Sequence, residues 1–561
     1  MKKLLSSVLF LLVITGFSQE GPQKYFVAFT DKNGTPYSIS DPQAFLTQRA
    51  IDRRTAQGIP IIEEDLPVNP TYVNDVAALG AQVFTRCKWF NGITVRIVDS
   101  SVVLPLIRAL SFVQSVIRVT AYDSNSTKSA RGDGKFRLEE ELRKAGNNHE
   151  PGSPGSVQSY NYGPSHGQIH LLNGDILHNM GYRGQGKVIA VLDAGFENAD
   201  VTPVFDSLRA NHQILGTRDF VTPGGNVYQE HWHGGEVLST MGGDIPGQLI
   251  GTAPKASYWL IRTEDANSEN IIEEYNWVVG AEMADSVGAD VINSSLGYTT
   301  FDHDWMDHTC ADMNGYTNPS SRGANIAASK GIALSISAGN EGGSPWTCVS
   351  SPSDALDALS IAAVDSLGNY AWFSSTGIVD SNYVKPNIAS VGMNAYVAGP
   401  DSIFGFGDGT SFSSPINAGL MACLWQAKPD LNQAQLRLAI EKSASQYTHP
   451  DSLLGYGIPD YNKALELAQV GIISKANFQV YPNPFSSTIT ISVGSNLSGT
   501  FEISLISITG KLILKTSRQV VAGEGNSIKL SNLGELAPGM YILKISSGTS
   551  NEYLHLVKIT D

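Results

Sequence analysis

The feature that most constrains the fold is a series of short apolar runs between residues 163 and 468, separated by segments of helical periodicity. These runs, rich in β-branched and other apolar residues, span 188–192, 257–261, 291–292, 332–336 and 359–364. Strands that are apolar on both faces and alternate with helices are typical of a parallel sheet covered on both sides. We therefore predict an α/β domain, and we expect its functional residues to lie just beyond the carboxyl ends of the strands.

Polar residues follow two of these runs where we expect the strands to end. Asp193 comes directly after the run 188–192, and Asn340 follows the run 332–336 with glycines nearby on both sides. A carboxylate at a strand end can hold a neighbouring imidazole, and a side-chain amide can donate to an oxyanion. For each residue taken alone, a capping or turn role is at least as good an explanation.

A histidine precedes one of the helical segments. His233 stands before two glycines and an apolar-periodic stretch, so we expect it to project from a helix start into a cleft. His231 raises the alternative of a zinc site, which needs three or four ligands, and no third is evident nearby. We predict no metal at these histidines and interpret His231 as a surface residue.

Ser411 lies between a glycine-rich loop, 405–409, and an apolar run, 416–427, that we interpret as a buried helix. This places it at a helix N-terminus, where free backbone N–H groups and the helix dipole favour negative charge. A nucleophilic serine needs such surroundings because its attack creates an oxyanion. We expect Pro415 in the first helical turn, where its missing N–H has no intrahelical partner. A serine that only caps the helix is the competing interpretation.

Taken together and in this chain order, the motifs around these residues resemble those of the subtilisin-like serine proteases. The matching motifs are Val-Leu-Asp-Ala-Gly at 191–195, His-Gly-Gly-Glu-Val at 233–237, Ser-Leu-Gly at 295–297, Ala-Gly-Asn at 338–340 and Gly-Thr-Ser-Phe-Ser-Ser-Pro at 409–415. Gly235 departs from the Thr usual in that family, and Ala194 from the commoner Thr or Ser. Neither position supplies an atom of the catalytic triad, so we expect activity to survive.

The resemblance implies a subtilisin-like parallel sheet with helices on both faces over 163–470, and a serine endopeptidase acting on protein or peptide substrates. Ser411 would attack the scissile carbonyl, His233 would transfer the proton and Asp193 would orient His233. The Asn340 side chain and the Ser411 N–H would hold the oxyanion. Because the base is a histidine, activity should rise through about pH 6–7.

The same resemblance implies how substrate binds. Ser295, Leu296, Gly297 and Gly339 would bind substrate, the first three as an edge that pairs with an extended peptide in the non-primed cleft. No cofactor is required for this chemistry. Many relatives hold structural Ca²⁺, and the acidic segment 301–308 is a candidate for it, although we interpret that segment as a surface loop.

Residues 19–122 read as a small α+β module, with the order strand, two helices, strands, helix and strand between 25 and 119. Lacking a catalytic constellation of its own, it resembles the inhibitory propeptides of this family, which would make it a partner in cis. The polar stretch 123–162 is interpreted as a linker with the processing site, after Lys128 or Arg131. Its Arg-Gly-Asp at 131–133 is interpreted as ordinary linker and not as an adhesion motif.

After residue 474 the pattern turns all-β, and we predict a small β-sandwich over 474–561. Tyr-Pro-Asn-Pro-Phe at 481–485, Gly-Lys at 510–511, Gly-Met-Tyr-Ile-Leu at 539–543 and Val-Lys-Ile at 557–559 resemble type IX secretion sorting domains. The resemblance implies routing by that secretion machinery to the medium or the outer cell surface. A carbohydrate- or protein-binding sandwich is the alternative, and with it a surface adhesin.

The chain as a whole fits an exported protein of several domains. Residues 1–18 have a Lys-Lys start, an apolar run and small residues at a cleavage point, as in a secretory signal peptide. No later stretch is apolar enough to predict a transmembrane helix. The net charge of −15 argues against a nucleic-acid partner, which needs a basic face.

Export makes disulfides possible, and the chain has 4 cysteines. Cys310 and Cys348 lie in polar, loop-like surroundings, and we favour their pairing. Cys423 lies in the apolar run after Ser411 and is interpreted as a buried thiol.

Overall fold

A computed structural model describes the chain over residues 23–120, 135–136, 139, 160–378, 383–400, 403–469, 478–493, 499–507, 510–520, 527–547 and 550–559. The predicted signal peptide, the Arg-Gly-Asp tripeptide and the processing site predicted after Lys128 or Arg131 lie outside the described residues. Six residues of the predicted linker lie within them: Lys135, Phe136, Glu139 and residues 160–162.

The N-terminal module is a four-stranded antiparallel sheet in the order β2-β3-β1-β4 with three helices. Its elements are β1 (Gln23–Phe29), α1 (Gln48–Gln57), α2 (Pro70–Ala78), β2 (Gln82–Cys87), β3 (Gly92–Ile97), α3 (Ser100–Arg108) and β4 (Val113–Arg118). Alternate apolar residues of β1 and β3 pack with those of α2 and α3 in one small core. The predicted order of strands and helices is therefore found.

The central domain is built on seven parallel strands in the order β13-β12-β11-β10-β5-β9-β6. They are β5 (Val188–Asp193), β6 (Ile214–Asp219), β9 (Ser257–Arg262), β10 (Val291–Ser294), β11 (Ala333–Ser337), β12 (Leu359–Val364) and β13 (Ile388–Val391). The domain also has two short hairpins that are separate from this sheet. They pair β7 (Asp244–Ile245) with β8 (Leu249–Ile250) and β14 (Ala395–Ala398) with β15 (Phe404–Gly407). The inner strands β5, β10, β11 and β12 are buried throughout, which explains their unbroken apolar sequences.

Helices cover both faces of this sheet, and a separate buried core lies on each side. They are α4 (His166–His170), α5 (Gly174–Asn179), α6 (Asp206–Ala210), α7 (His233–Gly242), α8 (Ile272–Val287), α9 (Pro319–Ser329), α10 (Thr410–Ala427), α11 (Gln433–Ser443) and α12 (Tyr461–Gln469). α10 is apolar around most of its circumference and is buried from Thr410 to Trp425. The predicted α/β fold is confirmed.

The N-terminal module docks on α8 through buried charges. Asp285 of α8 accepts bonds from Arg53 at 2.6 Å and Arg54 at 2.6 Å. Arg54 also makes a bidentate pair with Asp65 at 2.8 and 2.9 Å, and Lys330 reaches Asp65 at 3.1 Å. Opposite charges therefore neutralise one another where neither side of the interface has access to water.

The C-terminal domain has two antiparallel sheets that enclose a core of their own. One sheet has the order β16-β17-β20, and the other has the order β19-β18-β21-β22. The strands are β16 (Phe478–Tyr481), β17 (Ile489–Val493), β18 (Gly499–Ser507), β19 (Leu512–Val520), β20 (Ser527–Leu530), β21 (Gly539–Ser547) and β22 (Ser550–Lys558). The predicted all-β domain is confirmed.

The cysteine predictions agree with the structure. Cys310 and Cys348 form a disulfide that spans 38 residues of chain, and Cys423 is a buried free thiol, as is Cys87. Over the described ranges, the helices are all too short or too polar to cross a bilayer.

Candidate active site

A buried aspartate and histidine meet at the carboxyl edge of the large sheet. Asp193 is the last residue of β5, and His233 is the first residue of α7. His233 Nδ1 lies 2.7 Å from Asp193 Oδ1, and both side chains are fully buried. The Ala194 amide donates to the same Asp193 oxygen at 2.7 Å. A carboxylate on Nδ1 fixes that nitrogen as the donor and leaves Nε2 with its lone pair.

The surroundings of His233 favour its charged form. Burial alone would lower the pKa of His233, but the charge of Asp193 and the hydrogen bond to it, followed by the charges of Glu139 and Glu236, raise it above its usual value. Among the described residues, His233 Nε2 has no hydrogen-bond partner although it is buried. The ring is therefore oriented by Asp193, and its second nitrogen remains available.

Ser411 occupies the first turn of α10, which begins at Thr410. The expectation that Pro415 lies in that turn is wrong, because Pro415 is the sixth residue of the helix and lies inside it. Pro415 has no N–H to donate to the carbonyl four residues before it, which is that of Ser411. Ser295 Oγ donates to this Ser411 carbonyl at 2.8 Å and so replaces the missing backbone bond.

Asn340, three residues beyond β11, is held with its amide in a defined orientation. Its Oδ1 accepts from the Thr410 backbone N–H at 2.8 Å and from Thr410 Oγ1 at 2.9 Å. Because both donors occupy the oxygen, the Nδ2 group is left to point into the cleft. Thr410 was not singled out by sequence, and its place before Ser411 in the Gly-Thr-Ser motif is the signal that marks it.

Two predicted site residues converge on one oxygen of the linker. Glu139 Oε1 accepts from Asn340 Nδ2 at 3.0 Å and from Ser411 Oγ at 3.1 Å. Burial raises the pKa of Glu139, while the charge of His233 and the bonds from Ser411 and Asn340 act in the opposite direction. Ser411 Oγ also lies 3.4 Å from the Ser295 carbonyl oxygen. In this state Ser411 is therefore engaged with Glu139 and Ser295.

Phe136 fills the cleft beside the histidines. Its ring lies 4.4 Å from that of His233 and 4.6 Å from that of His231, centroid to centroid. Phe136 is buried, and His231 is half-buried. The polar sequence around Phe136 and Glu139 predicts an exposed linker, and neither residue was predicted to lie at the site.

The predicted substrate-binding residues line one cavity next to Ser411. Ser295, Leu296, Gly297 and Gly339 border it together with Asn340, and its volume is about 70 Å³. A Cβ at Gly297 would come within 2.2 Å of Ser350 Oγ, and one at Gly339 within 2.7 Å of Ser375 Oγ. A larger residue therefore does not fit at either position without movement of these serines.

The acidic segment 301–308 has its side chains engaged in holding loops. Asp307 accepts from the Phe301 amide at 2.7 Å, Asp302 accepts from the Glu269 amide at 3.1 Å, and His308 lies 3.0 Å from Glu274. Within the described ranges, the acidic or histidine groups close enough to share a metal lie elsewhere, at 166/170/175 and 264/269/273.

Comparisons with known proteins agree with this architecture. Residues 184–457 match the model of the subtilase family, described as Peptidase S8. Residues 24–133 match the Peptidase S8 propeptide domain of Bacteroidota, and residues 479–559 match a secretion system C-terminal sorting domain.

Subtilisins and one protein of known structure are among the proteins similar to this chain. Subtilisin E of Bacillus subtilis (strain 168) is 29% identical over 293 residues, which are 52% of this chain and 67% of that protein. Subtilisin of Bacillus pumilus is 28% identical over 293 residues, which are 52% of this chain and 93% of that protein. The crystal structure of MycP1 from the ESX-1 type VII secretion system has a TM-score of 0.42 and 20% identity over 56% of this chain and 88% of that one.

The parallel sheet and the subtilisin relatives define a serine peptidase with an N-terminal propeptide domain and a C-terminal type IX sorting domain. Residues 184–457 therefore form a domain of the subtilase family. The predicted family, fold class and type of enzyme are thereby confirmed, and the sorting domain indicates secretion or attachment at the cell surface.

Proposed function

We propose that this protein is a secreted serine endopeptidase that cleaves peptide bonds through Asp193, His233 and Ser411 and is made as an autoinhibited precursor. The observation that carries the proposal is the convergence of Asn340 Nδ2 and Ser411 Oγ on a single carboxyl oxygen, that of Glu139, beside the buried Asp193–His233 pair. An oxygen held between these groups stands where the oxyanion of a tetrahedral intermediate would form.

The chemistry follows from the positions of these groups. Once Glu139 has left, we expect Ser411 Oγ to turn toward His233 Nε2, which has no partner among the described residues. The hydroxyl then attacks the substrate carbonyl while Nε2 takes its proton and later passes it to the leaving amine. The resulting acyl-enzyme is hydrolysed by a water molecule that His233 activates in the same way. Asp193 stabilises the imidazolium in both steps.

The oxyanion is held by two donors of different kinds. One is Asn340 Nδ2, whose orientation is fixed by Thr410. The other is the Ser411 backbone N–H, which lies in the first turn of α10 and has no intrahelical partner there. The dipole of this long helix adds positive potential at the same end.

Two sets of contacts support latency of the precursor. The N-terminal module is bound to α8 by the buried Arg53–Asp285 and Arg54–Asp285 pairs. The linker residues Phe136 and Glu139 stand against His233 and Ser411, so that a substrate carbonyl has no room at the nucleophile. We infer that proteolysis of the linker precedes activity, and that the signal peptide and type IX machinery carry the precursor out of the cell.

The first test is labelling by a fluorophosphonate probe, which reacts with an activated serine. We expect the processed protein to label at Ser411, and Ser411→Ala not to label. Asn340→Ala should still label but should lose about 10²–10³ in kcat, the effect typical of one oxyanion donor. Absence of label on the processed wild-type protein would overturn the proposal.

A further inference from the structure

Three acidic side chains enclose the end of Lys135 at the same edge of the sheet as Ser411, and we call the space between them the acidic pocket. Glu264 follows the end of β9, Glu273 lies in the first turn of α8, and Glu269 is in the loop between them. Their side chains are 0%, 1% and 9% exposed, and each offers an oxygen within 4.8 Å of the others. Tyr298 donates to Glu264 at 2.8 Å, and Ser268 Oγ donates to Glu273 at 3.3 Å, which fixes the walls.

The pocket holds a cation supplied by the linker. Lys135 Nζ lies 2.7 Å from Glu269 and 2.7 Å from Glu273, contacts Glu264, and donates to the Ser268 carbonyl at 3.2 Å. The Lys135 side chain is only 8% exposed. Burial would lower the pKa of Lys135, but the charges of Glu269 and Glu273 raise it, so the ammonium stays charged.

The acidic pocket lies next to the substrate cleft, and Lys135 connects the two. Lys135 borders the same cavity as Leu296, Gly297 and Ser411. Tyr298, which holds Glu264, directly follows the predicted substrate-pairing edge at 295–297. Lys135 precedes Glu139, the residue at Ser411, by four positions. A chain that runs through the cleft in this direction would therefore present a basic side chain before the bond at Ser411.

Removal of the linker would leave this pocket without its cation. Three carboxylates whose oxygens lie within 4.8 Å of one another repel, so the pocket without a cation is costly. Burial raises the pKa of both Glu269 and Glu273, which is the sign of that cost. A cationic side chain that enters from the cleft would restore the ion pairs that Lys135 makes with these carboxylates.

We propose that Glu264, Glu269 and Glu273 form a specificity pocket that binds a lysine or arginine side chain of the substrate, N-terminal to the bond cleaved at Ser411. The inference rests on the proposed endopeptidase function and names its substrate class: polypeptides with a basic residue at one fixed distance before the cleaved bond. Charge-assisted hydrogen bonds to buried carboxylates are among the stronger polar contacts in proteins, so the preference should be large.

The test uses processed protein, confirmed by mass spectrometry to lack residues 135–139, and pairs of internally quenched peptides. Each pair differs only by lysine or norleucine, which match in length, at one of the positions before the cleaved bond. We expect lysine to raise kcat/KM by roughly 10- to 100-fold at one position and to have little effect at the others. A ratio near one at every position would overturn the pocket, and this measurement needs no variant.

Variants then assign the preference to these carboxylates. Glu269→Gln with Glu273→Gln, which keep the side-chain shapes, should bring the lysine-to-norleucine ratio toward one. Asp265→Asn is the matched control, because Asp265 is in the same loop and does not contact Lys135; its ratio should stay as in the wild type. An equal loss in Asp265→Asn would mean that general negative charge, and not the pocket, selects lysine.

Calcium is the competing occupant. If calorimetry with calcium chloride shows binding that Glu269→Gln removes, and lysine gives no preference, then the pocket is a metal site and the inference is wrong. Cleavage of norleucine peptides without a lysine preference defeats the inference and leaves the proposed function intact. Failure to cleave any peptide, together with no fluorophosphonate label at Ser411, defeats the proposed function itself.

Discussion

Two arginines of α1 allow the docking of the propeptide to be tested with a built-in comparison. Arg54 bonds Asp65 and Asp285, and its side chain is 1% exposed. Arg49 pairs with Asp290, which like Asp285 lies in the central domain, but the Arg49 side chain is 41% exposed. Both residues can be replaced by methionine, which keeps much of the side-chain length and removes the charge.

The expected magnitudes differ because of burial. Removing one partner of a buried ion pair costs about 3–5 kcal/mol. We expect the lower end for Arg54→Met, because Arg53 still pairs with Asp285 and Lys330 still pairs with Asp65. About 3 kcal/mol corresponds to roughly a 100-fold change in the opening equilibrium. Arg49 keeps access to water although Asp290 is largely buried, so we expect this pair to contribute about 0.2–1 kcal/mol, or at most roughly fivefold.

Hydrogen exchange measures this opening directly. In the Ser411→Ala precursor, which cannot cut itself, the Lys88 and Trp89 amides, which donate to Glu282 of α8, exchange when the propeptide domain undocks. We expect Arg54→Met to speed their exchange roughly 100-fold and Arg49→Met to speed it at most about fivefold. Equal acceleration in the two variants, or less than threefold for Arg54→Met, would refute the role of the buried charges.

Three further predictions concern the site and its support. Glu139→Ala in the precursor should speed fluorophosphonate labelling about tenfold, because two bonds that hold the linker on the nucleophile are lost; an unchanged rate would contradict this block. The kcat/KM of the processed enzyme should rise with pH as His233 loses its proton, because His233 must be neutral to act as base; its midpoint should lie above that of a free imidazole, because the charge of Asp193 raises the pKa of His233, and Asp193→Asn should shift the midpoint of the pH profile down. Replacing Cys310 and Cys348 by serine should cost about 3–4 kcal/mol for a loop of this length, seen as a lower midpoint in a thermal unfolding scan; no shift would contradict it.

The inner strands of the sheet could be predicted from the sequence, because strands that are buried on both faces consist of unbroken apolar runs. It did not show the edge strands β6 and β13. β6 is partly exposed and mixes glycine, threonine and arginine with its apolar residues, and β13 has only four residues after Pro386. An edge strand needs one apolar side at most, so its sequence carries too little signal.

Residues of the candidate site were predictable where they stand at the end of a strand or at the start of a helix. Asp193 ends a strand, and His233 starts a helix, so sequence position alone indicated their edge of the sheet. Pro415 was misplaced because the rule that puts proline in the first turn assumes that the freed carbonyl has no other donor, and here Ser295 supplies one. Glu139 had no local signal, since its partner Ser411 lies 272 residues away.

The occupation of the cleft by Lys135, Phe136 and Glu139 has a consequence for the order of maturation. A cut before Lys135 would release the propeptide domain, which dilution can then carry away, but it would leave these residues attached to the enzyme by their own chain. A tethered blocker stays at a constant high local concentration, so dilution outside the cell does not weaken it. Maturation by such a route therefore depends on two separate rates. One is the rate at which the propeptide domain dissociates, and the other is the rate of a second cut beyond Glu139.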